Sequence, residues 1–281
     1  MSASPEKHTG VSPEKHAGRW KLTLEYDGTP FAGWQKQNNA FSVQEALEKA
    51  ITAFCGETVQ AHVAGRTDAG VHATGQVAHI DLARETDEKT VRDAINFHLR
   101  PHPVAVVKAE RASPEFHARF GATYRTYCYK ILMGRRADTV LLQNRAWHLG
   151  RDLDVAKMNK AAQYLLGTHD FSSFRDAECQ AKSPIRSLDR LEFIENRTEL
   201  SAGRMIELRA EARSFLHHQI RNFTGTLVLV GEGKWQPEDV KTALEAKDRT
   251  KAGPTAPPHG LYFTRVDYPE QPLQRVADSL L

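Results

Sequence analysis

The sequence predicts an α+β protein built of two ferredoxin-like, RRM-like halves with predominantly antiparallel sheets. Three observations carry this. Apolar periodicity over residues 19–120 runs strand, helix, strand, strand, helix, strand, which is the split order of that fold. Residues 121–270 repeat the theme with a long strand, a helix, two strands, two further helices and a closing strand. The composition, 40% hydrophobic and 26% charged over 281 residues, is that of a globular protein long enough for two modest domains.

Each element has a local reason. Residues 4–10 are nearly repeated as 12–18, with no apolar residues to bury, so 1–18 is expected to be a flexible tail. Leu22, Leu24 and Tyr26 alternate in a first strand from Trp20, and Asp27-Gly28 turns it. Ser42-Val43-Gln44-Glu45 reads as a capping box, followed at helical spacing by Val43, Leu47, Ala50, Ile51 and Phe54 until Gly56. A short apolar run from Val59 to Ala64, a glycine-rich loop, and an alternating strand from Gln76 to Leu82 come next. A helix from Glu88 to Leu99 stops before Pro101, and a strand runs from Val104 to Ala109. The division between halves is placed near residue 120. Beyond it lie a strand from Ala122 to Met133 and a helix from Asp154 to Leu166. Strands at Ser187–Glu195 and Arg204–Ala212 follow, then helices at Leu216–Val230 and Pro237–Ala246 and a strand near Leu261–Tyr268. Residues 271–281 are expected to form a second tail.

Totals exclude several classes. No run of 18 apolar residues exists and the first 18 residues are polar, so neither a membrane span nor secretion is indicated, and a cytoplasmic location is the expectation. Three cysteines, Cys55, Cys128 and Cys179, fit neither a disulfide framework nor a zinc site. The formal net charge of +3 does not announce a nucleic-acid binder, so local clusters must carry that claim. The candidates are Arg19 with Lys21, Arg119 with Arg125, Lys130 with Arg135 and Arg136, and Lys182 with Arg186.

The loop from Gly65 to Gly75 holds three glycines in eleven residues between two strands. Such a loop presents side chains with strand-like precision while leaving them reachable. It carries one carboxylate, Asp68, two positions from the Arg66 guanidinium. On spacing alone, an Asp-capped turn is the commoner reading.

The whole string Gly65-Arg66-Thr67-Asp68-Ala69-Gly70-Val71-His72-Ala73-Thr74-Gly75-Gln76-Val77 closely resembles the signature of the tRNA pseudouridine synthase A family. Further blocks are similar to that family: Tyr26 to Thr29 with Phe31 to Gln37, Phe116 to Phe120 with Tyr127-Cys128-Tyr129, Asp170 to Arg175, and Phe215 to Asn222. The resemblance spans about residues 19–268. It implies that Asp68 is the nucleophile turning uridine into pseudouridine, that Tyr127 meets the target base, and that Arg221 pairs with Asp68. It also implies two sheets joined with a catalytic cleft between them. The substrate would be the anticodon arm of tRNA (positions 38–40), and the enzyme a homodimer.

Physical chemistry gives these residues work to do. A carboxylate covered by a base and surrounded by phosphates loses water and tends to protonate, and a fixed guanidinium prevents this. Arg221, at the edge of a helical stripe formed by Ile220, Phe223 and Leu227, is placed to reach over a cleft. Arg66 is assigned to RNA, contacting phosphate or filling the gap left by an extruded base. Tyr127 either stacks on the uracil or moves a proton. Asp27 reads as a turn residue. The histidines, including His217-His218 on a run read as helical, give no metal set, and the expectation is neither metal nor cofactor. The alternative to an enzyme is a non-catalytic RNA-binding or tRNA-folding module, which would tolerate loss of Asp68.

Overall fold

The computed structural model describes residues 16–196 and 203–269. The expected tails therefore fall almost wholly outside the described residues.

The first half contains β1 (His16–Tyr26), α1 (Val43–Cys55), β2 (His62–Val63), β3 (His72–Thr86), α2 (Glu88–Leu99) and β4 (Val104–Arg111). β1 pairs antiparallel with β3 on one side and β4 on the other, and β2 pairs antiparallel with β3. β1 begins earlier than its alternation suggests, with His16 opposite Thr86. α1 starts where Ser42 accepts a hydrogen bond from the Glu45 amide, and it stops at Gly56, whose φ of 76° is left-handed. Only half of the expected capping box forms, because the Glu45 carboxylate instead pairs with Lys49. α2 is capped by Asp87 in the same manner as α1.

The second half contains β5 (Tyr124–Met133), β6 (Trp147–Leu149), α3 (Val155–Ala162), β7 (Gly167–Asp170), β8 (Ile185–Asn196), β9 (Arg204–Ala212), α4 (Gln219–Gly231), α5 (Pro237–Ala246) and β10 (Leu261–Asp267). Here β5 lies antiparallel between β10 and β9, with β8 beyond β9. Leaving aside the short β6 and β7, the two halves thus repeat one arrangement, in which the first strand is flanked by the third and fourth and the second pairs with the third. Two short strands, β6 and β7, were not expected, since three or four residues cannot display an alternation. α3 is shorter than its periodicity suggests and ends in a 3₁₀ turn over Gln163–Leu165.

The halves are sewn together where β10 runs parallel to β3, with Tyr262 opposite His72 and Phe263 opposite Ala73. The result is one sheet in the order β4-β1-β3-β10-β5-β9-β8-β7. Its core is continuous across the seam, with Leu22, Ile80, Phe263 and Leu208 all fully buried. The seam positions the loop before β3 beside the middle of β5.

Candidate active site

The loop between β2 and β3 is held from behind by the first strand and the loop after it. Thr67 Oγ1 lies 2.8 Å from Tyr26 Oη, Gln76 Nε2 donates to the Gly65 carbonyl at 2.8 Å, and the Trp34 amide donates to the Thr67 carbonyl at 3.0 Å. Gly33 makes the last contact possible. Its φ is 91°, and a Cβ there would stand 2.6 Å from the Thr67 oxygen. The Phe31–Gln37 segment is thus the back wall of the Asp68 loop.

Asp68 opens into a cleft of about 1220 Å³ at the seam. Oδ2 accepts a hydrogen bond from Arg221 Nη1 at 3.1 Å. Arg221 sits in the first turn of α4 and is fixed twice more: its Nε donates to the Ala256 carbonyl at 2.8 Å, and its own carbonyl accepts from the Ala256 amide. The sequence expectation of an Asp68–Arg221 pair therefore corresponds to a geometry in which the guanidinium is tethered at both ends.

Two residues that the sequence reading dismissed stand at the same carboxylate. α4 begins later than expected, at Gln219, because His218 adopts a left-handed φ of 59°. Phe215 and Leu216 continue the apolar spacing of α4, which made the whole run look helical. Outside a helix, the two imidazoles no longer diverge. They stack at 3.9 Å, with His217 Nε2 3.4 Å from Asp68 Oδ1 and His218 Nε2 3.2 Å from Asp68 Oδ2. On their far side is Asp176, whose Oδ2 lies 2.7 Å from His218 Nδ1. The adjacent His pair just before Arg221 was the available signal, but only the left-handed turn aims it.

The electrostatic result favours an anion at Asp68. Burial pushes its carboxyl upward, yet the hydrogen bonds and charges of His217 and His218 more than reverse this and hold it well below the usual carboxylate range. Reciprocally, the hydrogen bond to Asp68 raises His217 against the effect of its burial. Asp68, His217 and His218 could also bring three ligand atoms to one cation, since these lie within 4.8 Å of one another. This corrects the expectation that the histidines give no ligand set; Arg221 also pairs with that carboxylate, and Asp176 sits at the other nitrogen of His218, a position an outer carboxylate takes behind a free or a metal-bound imidazole alike.

Tyr127 on β5 is buried against the same cleft, its ring 5.2 Å from Phe215 and 4.6 Å from Phe263. Its Oη has no hydrogen-bond partner among the described residues. Burial pushes the phenol above its ordinary value, with Tyr26 adding to the effect, so at neutral pH it is a proton donor and not a phenolate. Arg66 is exposed at the cleft and has no ion-pair partner among the described residues, leaving its charge available to a ligand.

Several expected phosphate contacts are otherwise engaged. Arg125 donates to the carbonyls of Ala64, Arg119 and Arg213, and Arg19 pairs with Asp81 while donating to the Pro114 and Phe116 carbonyls. Lys21 pairs with Glu110, and Lys130 lies over the Tyr262 ring. Asp27 is a turn residue as expected, accepting from the Thr29 amide and pairing with Arg145.

The family model matched by residues 23–121 and 161–269 is described as tRNA pseudouridine synthase. The chain is 56% identical over 250 residues to the tRNA pseudouridine synthase A of Paramagnetospirillum magneticum, covering 89% of this chain and 95% of the relative. It is 54% identical over 252 residues to that of Methylocella silvestris, covering 90% and 99%, and 56% identical over 250 residues to that of Rhodospirillum centenum, covering 89% and 99%.

Proposed function

The chain belongs to the tRNA pseudouridine synthase family, and from that premise we propose that it isomerises uridine to pseudouridine in the anticodon arm of tRNA with Asp68 as the nucleophile. The observation that carries the assignment of Asp68 is its carboxylate, open to the cleft and bound to Arg221 at 3.1 Å. A carboxylate kept anionic in a half-open cleft can attack without first losing a proton.

The reaction balances without oxidant or reductant. A carboxylate oxygen of Asp68 bonds to the flipped uridine, the bond between N1 and the sugar breaks, and the uracil turns within the cleft. C5 then bonds to the sugar, the C5 hydrogen leaves as a proton, N1 gains one, and the carboxylate is released. Arg221, His217 and His218 stabilise the anion before attack and after release. Tyr127 packs against the base, and its hydroxyl serves proton transfer. Arg66 holds phosphate or the space vacated by the base. No cofactor is required by this chemistry.

In the same reading the enzyme is a cytoplasmic homodimer. No helix among the described residues is long and apolar enough to cross a membrane. Sedimentation with and without tRNA measures the assembly.

The test is incubation with an unmodified tRNA transcript, followed by base-specific chemical labelling and primer extension. Wild type should produce pseudouridine in the anticodon arm, and Asp68→Asn should bind the same transcript without producing any. Equal turnover by that variant would favour a role for Asp68 in binding alone.

A further inference from the structure

A second part of the cleft, separate from the Asp68 cluster, presents aromatic rings and an unpaired cation. Phe120 is 77% exposed although it lines the same cleft as Asp68. A single exposed apolar side chain is ordinary. This one is held in place. The turn that carries it is closed by the Gly121 amide donating to the His117 carbonyl, and His117 Nδ1 accepts from the amides of Arg119 and Phe120. Arg125 then ties the turn to the catalytic loop, its Nη2 donating at once to the Arg119 carbonyl and to the carbonyl of Ala64 at the start of that loop.

The ring belongs to a series. His79 lies 4.9 Å from His62 and 4.7 Å from His117, and His117 lies 4.5 Å from Phe120. His79 and His117 are both pushed below the ordinary imidazole range, chiefly by burial, which leaves them uncharged at neutral pH. The Arg119 guanidinium stands 5.6 Å from the centre of the Phe120 ring and has no carboxylate partner among the described residues. An open ring backed by a run of imidazoles, with a guanidinium beside it that has no carboxylate partner among the described residues, suits one chemical class: a nucleobase with its attached phosphate.

We propose that Arg119 and Phe120 form a second nucleotide subsite, at which an unpaired base flanking the target uridine stacks on Phe120 with its phosphate against Arg119. This deepens the reading of the protein as a tRNA-modifying enzyme and rests on it. The subsite grips the strand beside the extruded uridine, and Arg125 keeps that grip in register with Asp68.

The experiment measures binding of an anticodon stem-loop RNA carrying 2-aminopurine next to the target uridine, on either side in separate transcripts. With wild type, the fluorescence of one transcript should fall on binding. With Phe120→Ala it should not, and affinity should weaken about 5- to 150-fold, the range of one base–aromatic stack. Phe120→Tyr should restore both. Arg119→Gln should lower the salt dependence of binding by about 0.7 in log–log slope, the contribution of one single-strand phosphate. Phe120→Ala should melt with wild type, because the ring is exposed. Unchanged affinity and fluorescence response in Phe120→Ala would overturn the proposal. So would a loss of affinity explained by a changed sedimentation coefficient, which would make Phe120 part of a protein interface. A wild-type protein that forms no pseudouridine would instead overturn the reading on which the subsite depends.

Discussion

Arg221 reaches Asp68 across 153 positions of sequence, with Nη1 3.1 Å from Oδ2, and its Nε is tied to the carbonyl of Ala256. The tether matters because moving the guanidinium would cost its hydrogen bond to the Ala256 carbonyl. The anion is therefore stabilised by a charge whose position is set before substrate arrives.

Removing that charge should slow the reaction. Arg221→Gln deletes a charge-assisted hydrogen bond worth about 1.5–3 kcal/mol, so the single-turnover rate on saturating tRNA should fall roughly 10- to 150-fold. Arg221→Lys should fall between the two, since an ammonium keeps the charge but cannot hold Ala256 and Asp68 with one planar group. A Gln variant at the wild-type rate would show that the pair is ornamental to catalysis.

The coupling between Asp68 and His217 has a pH window. Asp68 is lowered in the folded state, so its contribution is complete above the unfolded carboxylate value near 4 and is lost as pH falls. His217 is raised, so its contribution is complete below about 6.5 and is lost as pH rises through the elevated folded value. The contribution should therefore be greatest between about pH 4 and 6.5 and shrink on both sides. Chemical denaturation of wild type and Asp68→Asn across this range reads it directly. NMR titration should also show the His217 midpoint falling in the variant.

Tyr127 separates stacking from proton transfer. Its hydroxyl has no partner among the described residues and its phenol is held protonated by burial, so it is free to engage the base. Tyr127→Phe should bind tRNA normally while losing about 10²–10⁴ in single-turnover rate, the range for a positioned acid or base. A Phe variant with full activity would leave the ring as the only contribution. Tyr127→Ala should lose activity and also melt early, since it empties a space between Phe215 and Phe263.

Gly33 should prove sensitive although it does not touch the reacting groups. With φ at 91° and the Thr67 carbonyl 2.6 Å from any Cβ, Gly33→Ala must shift the Asp68 loop. We expect a loss of about 1 kcal/mol or more in stability together with a lower kcat, measured by thermal melting and single-turnover assay. Gly56→Ala is the control. It carries a similar positive φ at a helix end with open space around it, so stability should fall without a matching change in kcat.

Much of the fold was legible because its signals are local. Ser42 and Gly56 bound α1 through hydrogen bonds and dihedrals that involve only neighbours, and Pro237 does the same for the start of α5. The order of strands and helices then restricts each half to few topologies. Burial alternation located β1 and β9 for the same reason, since a period of two is written in consecutive residues.

The charged side chains behave differently. Arg19, Arg119 and Arg125 are indistinguishable in sequence, yet Arg125 is consumed by three backbone carbonyls while Arg119 faces an open cleft. A guanidinium has five donors and a long reach, so what it binds depends on which distant carbonyls folding brings near. The same holds for His217 and His218. Apolar spacing around them implied a helix and diverging rings, but a left-handed residue at His218 ends that continuity and turns both imidazoles toward Asp68 and Asp176.

The sequence by itself determined the order of the longer elements and the glycine-flanked Asp68 loop, while the pairing of Arg221 was legible only through the resemblance to the synthase family. The elements and the loop follow from dihedral preferences, apolar periods and turn residues, all of which act over a few residues. Tertiary structure alone decided that β10 joins the halves beside β3, that Asp176 braces the histidines, and that Phe120 stays uncovered in the cleft that Asp68 also lines. Each of those outcomes depends on packing between segments tens to hundreds of residues apart, where burial and hydrogen-bond satisfaction choose partners that no local pattern encodes.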